Sequence, residues 1–192
     1  MRDAVEQVDR RRRAVVAAAA IGTLAFKVGG IDLLLTPAEA RAKGASFNVF
    51  TAGEARTCEA FGDCLVPGAR AAGIAHYVDA NLARPAGQSL LMLRYLDVLP
   101  PHADFYRHGL NSLNAESRNQ HGQQFADLDE TAASRLVAAI AQASPAGWNG
   151  PPSPLFYFAA RGDAVDIVYG TQAGFEKLSI PYLAHIAPKR DY

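Results

Sequence analysis

Cysteine is nearly absent from this chain. Two among 192 residues exclude a disulfide-rich scaffold, a four-cysteine zinc site and an iron–sulfur cluster. No Cys-x-x-Cys-His occurs, so no c-type haem is attached covalently. Neither sign of charge dominates. Lys plus Arg and Asp plus Glu number 19 each, which removes the general electrostatic footprint of a nucleic-acid binder. No apolar run reaches the ~20 residues of a membrane-spanning helix. The Gly-x-Ser-x-Gly elbow, the P-loop and Gly-x-Gly-x-x-Gly are missing, so neither a serine hydrolase nor a nucleotide-binding enzyme has an anchor. The histidines (His76, His102, His108, His121 and His185) form no His-Glu-x-x-His pair. His102 and His108 would stand about 240° apart around a helix, a poor start for a metal site.

What is present is an ordinary globular composition, 49% apolar and 20% charged, which suits one domain plus an extension. Residues 1–42 hold seven basic and five acidic side chains, and residues 43–192 twelve and fourteen. Arg10 to Arg13 stand directly before the mildly apolar run Ala14–Phe26. That order matches the n- and h-regions of a secretory signal. Arg12-Arg13-Ala14-Val15-Val16 reads as a twin-arginine export signal. Ala40 and Ala42 place small residues where a signal peptidase reads, so a cut after Ala42 is expected. The expected layout is a signal segment at 1–42 and a single helical domain at 43–192.

The remainder reads as helix throughout, with no convincing period-2 strand. Thr51-Ala-Gly-Glu54 is a capping box. It opens a helix in which Ala55, Cys58, Phe61, Cys64 and Leu65 recur at helical steps, stopped by Pro67-Gly68. Ala69–Leu82 continues the pattern. Ser89–Leu96 reads as a short apolar helix, and Phe105, Leu110 and Leu113 mark another. Asp127-Leu-Asp-Glu130 starts a helix through Leu136, Val137 and Ile140. Ser153-Pro154 reads as N-cap and first turn of a helix to about Tyr169. The expected fold is therefore all-α, a bundle of about five to six helices. Residues 170–192 form an irregular, aromatic-rich tail. Cys58 and Cys64 on one helix are ~9 Å apart, too far to bridge to each other, and so are expected as buried free thiols, the alternative being that one of them bridges to another chain.

The order of these segments resembles a known family. Phe50-Thr-Ala-Gly-Glu54 with Thr57, Ala60 and Asp63, Leu65-Val-Pro-Gly-Ala69, Ala72-Gly-Ile-Ala-His-Tyr-Val-Asp79, Phe105-Tyr-Arg-His-Gly-Leu110 and Phe125-Ala-Asp-Leu128 look like the gluconate 2-dehydrogenase subunit 3 family. The resemblance covers about 50–187. Members often end with Tyr-Gly-Gly-Asn-Arg, whereas here only Tyr169-Gly170 matches that stretch. The resemblance implies a non-catalytic small subunit. It would bind and stabilise a large flavin-dependent dehydrogenase of the glucose–methanol–choline type and escort it through twin-arginine export to the periplasm. FAD would sit in that partner, with no cofactor in this chain, and a multihaem cytochrome c subunit would take the electrons. Trp148, Tyr169, Phe175 and Tyr182 are the aromatic residues expected at the partner interface. Two alternatives stand beside this reading. One is a self-sufficient enzyme using His102, Asp104 and His108. The other is a helical interaction module tethered to a membrane by its N-terminal segment.

Overall fold

Side-chain caps fix half of the α-helix starts in the computed structural model, which describes residues 22–181. Arg12, Arg13 and Tyr182 lie outside the described residues. The first elements are a hairpin, β1 (Leu24–Val28) and β2 (Ile31–Leu35), paired antiparallel from Leu24 opposite Leu35 to Val28 opposite Ile31. Eight α-helices follow among the described residues: α1 (Pro37–Ala42), α2 (Ala52–Leu65), α3 (Ala69–Ala72), α4 (Ile74–Leu82), α5 (His102–His121), α6 (Glu130–Gln142), α7 (Ser153–Tyr169) and α8 (Gln172–Lys177). The fold class is all-α, with the hairpin as its one small sheet among the described residues.

Thr51 and Glu54 form the expected capping box, each side chain bonding the other's backbone N–H. Asp129 caps α6 by accepting from the Ala132 N–H at 2.8 Å. The span Ala69–Leu82 is broken at Gly73, whose φ of +85° is left-handed. A Cβ there would lie 2.2 Å from the Pro37 carbonyl oxygen. Glycine is needed on both counts, and the closeness lets α1 pack directly on the α3–α4 corner.

Four expectations need correction. The stretch at 24–35, read as apolar leader, forms strands, because alternate residues Leu24 and Phe26 are buried while Ala25 and Lys27 face out. Residues 24–42 are also not separate from the domain that follows. Phe26 is 3% and Ala40 0% exposed, both within the one hydrophobic core. Ser89–Leu96 is not an α-helix but holds a 3-10 turn at Met92–Tyr95. The chain stays extended through Leu91 (φ −65°, ψ 149°), where Asp163 Oδ1 accepts from the Met92 N–H at 2.7 Å, and the bonds that follow are of the tighter i→i+3 kind, Arg94 N–H to the Leu91 carbonyl at 3.1 Å and Leu96 N–H to the Leu93 carbonyl at 3.2 Å. Finally, the tail expected to be irregular contains α8, whose first turn is capped by Thr171 accepting from the Gly174 N–H at 3.1 Å.

The core is aromatic at its centre. Phe156 of α7 stacks on Phe61 of α2 at 5.2 Å and 11° between planes, and meets Phe105 and Tyr106 of α5 and the Trp148 ring at 6.1 to 6.2 Å. Gly109 makes this possible, since a Cβ there would reach within 2.4 Å of the Phe156 ring.

Candidate functional site

Chemistry-bearing side chains collect inside the bundle rather than in a cleft. Asp79 of α4 is 2% exposed. Its carboxylate accepts three backbone N–H groups, from Asn48, Val49 and Phe50, each at 2.8 Å. It thus pins the loop that leads into α2. Glu54 does related work in the first turn of α2. It accepts from the Thr51 N–H at 2.8 Å and from the Arg107 guanidinium at 3.0 Å. Burial pushes the Glu54 carboxyl up, but the Thr51 and Arg107 hydrogen bonds outweigh it and hold the group below its ordinary value. Asn114 ties α5 to both sides. Its amide donates to Thr57 Oγ1 at 2.8 Å and its carbonyl accepts from the Phe125 N–H at 3.1 Å.

A strongly perturbed carboxyl is that of Asp163 on α7, fully buried. It accepts from the Tyr106 hydroxyl and the Met92 N–H. Burial pushes its carboxyl up to about 7 despite both donors, and the nearby Asp166 adds to the rise. Burial and the Asp163 charge also raise the Tyr106 phenol and the Cys58 thiol. A carboxyl, a phenol and a thiol in one interior would be catalytic material if a substrate could reach them. The void beside them, lined by Cys58, Phe61, Ile74 and Tyr106, is only about 10 Å³. That is less than one water needs. The arrangement crosslinks α5, α7 and the Met92 turn and leaves no room for substrate.

The Asp163 shift has a consequence with a definite sign. Between the ordinary aspartate value of ~3.9 and about 7, the folded chain holds a proton that the unfolded chain has lost. Stability therefore falls as pH rises through that window, at up to ~1.4 kcal/mol per pH unit. Asp163→Asn is expected to remove that slope in urea unfolding curves taken from acid to neutral pH; parallel curves for parent and variant would contradict it. His76, lowered mainly by burial, works in the opposite direction, gaining stability as pH rises, but equally in both proteins.

Two surface grooves flank α2. One, of about 410 Å³, runs between α2 and α6 past Asp63, Cys64, Arg70, Leu128, Glu130 and Ser134. The Cys64 thiol there lies 4.0 Å from Ser134 Oγ, and burial raises it above its ordinary value. A second, of about 460 Å³, is bordered by Arg41, Phe47, Arg56, Glu59 and His76. Its arginines are engaged, Arg41 with Glu59 at 2.9 Å and Arg56 with Asp127. The His76 Nε2–H donates to the Ala45 carbonyl at 3.1 Å, and its ring lies between Phe26 and Phe47.

The residues singled out from sequence fare unevenly. His102 is buried and its Nε2–H donates to the Val98 carbonyl at 3.0 Å, whereas Asp104 and His108 are exposed. The three do not converge. Among the described residues no group of three or more His, Cys, Asp or Glu is placed to hold a metal ion. Cys58 and Cys64 are free thiols. Trp148 is half-buried, its indole N–H donating to the Pro151 carbonyl at 2.7 Å and its ring against Phe156. Tyr169 is half-buried with Lys177 Nζ 5.6 Å from its ring centre, and Phe175 is half-buried on α8. Sequence reasoning assigned Asp79 to capping or solvation and did not single out Asp163. Their spacing to an apolar helix face was the one signal of burial.

No helix among the described residues is long and apolar enough to cross a membrane. Comparison with curated proteins and with solved structures returns no match. The family model for gluconate 2-dehydrogenase subunit 3 matches residues 52–185, which span α2 through α8 and beyond. On that match, covering well over half of its length, the chain belongs to the gluconate 2-dehydrogenase subunit 3 family.

Proposed function

We propose that this chain is the non-catalytic small subunit of a flavin-dependent sugar or alcohol dehydrogenase. It binds and stabilises a large subunit of the glucose–methanol–choline type and accompanies it through twin-arginine export, the signal lying at Arg12-Arg13. The family match carries this reading. The sealed Asp163–Tyr106–Cys58 interior supports it, since chemistry confined there serves packing. On this reading the FAD belongs to the large subunit, a multihaem cytochrome c receives the electrons, and the complex works on the periplasmic side.

Helix α7 supports a place for the partner. Its apolar residues are spread over most of its circumference rather than on one face, with Arg161 and Asp166 as exposed charges. Phe158 is 53% and Val165 36% exposed, and both fall on one side with Tyr169. Leu178 and Ile180 extend the apolar surface past α8. The large subunit covers this side, where Tyr169 and Phe175 also lie. Trp148 serves the fold of its own chain.

Co-expression tests the reading. Without this chain, exported flavin-loaded dehydrogenase is expected to fall at least tenfold. Replacing Arg12 and Arg13 with lysine is expected to leave both chains in the cytoplasm. Phe158→Asp is expected to weaken the complex at least tenfold while leaving the melting temperature of the small subunit unchanged. A partner that folds, loads flavin and is exported equally well alone would overturn the proposal.

A further inference from the structure

The triplet Ala40-Arg41-Ala42 has the residue types of a signal-peptidase site and the wrong structure for one. A peptidase threads its site as extended chain, with the small side chains exposed. Here both alanines belong to α1, which Thr36 and Glu39 close with a capping box: Glu39 N–H donates to Thr36 Oγ1 at 3.2 Å, and Thr36 N–H to Glu39 Oε2 at 2.8 Å. Ala40 is 0% exposed. Its methyl cannot enter a protease pocket unless α1 unwinds.

We infer that residues 24–42 are a retained cover of the folded domain, and that any removal of the leader takes place upstream of Leu24. Three independent contacts hold the cover down. Phe26 and Leu24 enter the core, Phe26 edge-on to His76 with ring centres 6.0 Å apart. The Lys27 carbonyl accepts from both the Ser46 N–H at 2.9 Å and the Ser46 hydroxyl at 3.1 Å, so the chain after α1 doubles back onto β1. The third is the backbone contact at Gly73, where the left-handed glycine of the α3–α4 corner touches Pro37. Stripping the cover would expose His76, Phe47, Ile74 and Ala45 together and leave the helix corner built around an absent neighbour. The twin-arginine route moves proteins already folded, so on that route the cover is in place before any peptidase meets it. The processing half of the inference rests on the proposed export, and the structural half does not.

The full chain co-expressed with its dehydrogenase and recovered from the periplasmic fraction tests the first half, by intact mass and N-terminal sequencing. An N-terminus at or before residue 24 supports the inference; one at Lys43 overturns it. Failure of the export reading shows separately, as recovery of the chain from the cytoplasm only. The structural half is then read from the full-length protein itself. Phe26→Ala is expected to lower its melting temperature by roughly 6 to 20 °C, and Ala40→Leu to lower it by several degrees through overpacking. Unchanged melting in both variants would overturn the cover.

Discussion

Asp79→Ala is expected to lower the unfolding free energy by about 3 to 5 kcal/mol. The aspartate is the sole side-chain acceptor given to the Asn48, Val49 and Phe50 N–H groups. Hydrogen bonds to a charged acceptor contribute ~1.5 to 3 kcal/mol each, and part of that returns as water reaches the outer two donors. Phe50 is buried, and its N–H would be stranded. Asp79→Asn keeps one acceptor oxygen and should lose about half as much. Urea unfolding followed by far-UV circular dichroism measures both. A loss under ~1 kcal/mol for the alanine variant would mean that the loop into α2 is held by its apolar contacts alone. Because the loop positions Thr51 and its capping box, the same variant should loosen amide protection at the start of α2 before the rest of the bundle.

Phe156→Ala carries the other large effect, again about 3 to 5 kcal/mol. The ring is 0% exposed and touches four other aromatic rings. Deleting it removes transfer energy and stacking, and opens a cavity bounded by rigid rings that cannot collapse into it. Phe156→Leu should lose about 1 to 2 kcal/mol, since most of the volume is kept. Gly109→Ala attacks the same contact from the other side. Its new methyl meets the Phe156 ring at 2.4 Å, so its effect should shrink in the Phe156→Leu background. Additive losses in a double-mutant cycle would show that the two positions do not share this contact.

Most of the helical frame was legible in the sequence, because its signals are local. The Thr51 box, the Asp129 cap and the apolar steps of α2, α5 and α6 act within one or two turns. What was missed depends on distant partners. The extended chain before the Met92 turn is held by Asp163, far along the sequence, which accepts the Met92 N–H at 2.7 Å, so the turn starts only at Met92. Ser153 reads as an N-cap, but its hydroxyl donates to the Ile140 carbonyl at 2.7 Å and so joins α7 to α6. The hairpin was hidden by its neighbours: Leu33-Leu34-Leu35 after an alanine-rich run reads as leader until the alternation of Leu24 and Phe26 finds a core to enter. The interior Asp163 was missed for the same reason. Only the fold brings Tyr106 to Asp163, and only burial gives that pair its unusual protonation.

Helix α7 is the axis of the bundle. It packs on α2, α3, α4, α5, α6, α8 and the Met92 turn, and its residues Phe156, Ala159 and Ala164 are wholly enclosed. It is also among the last elements to leave the ribosome. Helices α2 to α6 therefore emerge with part of their apolar surface facing a vacancy that is filled only near the end of translation. Contacts so distant in sequence slow folding and leave greasy surfaces open to aggregation in the meantime. Closure of the bundle therefore waits for α7 to emerge.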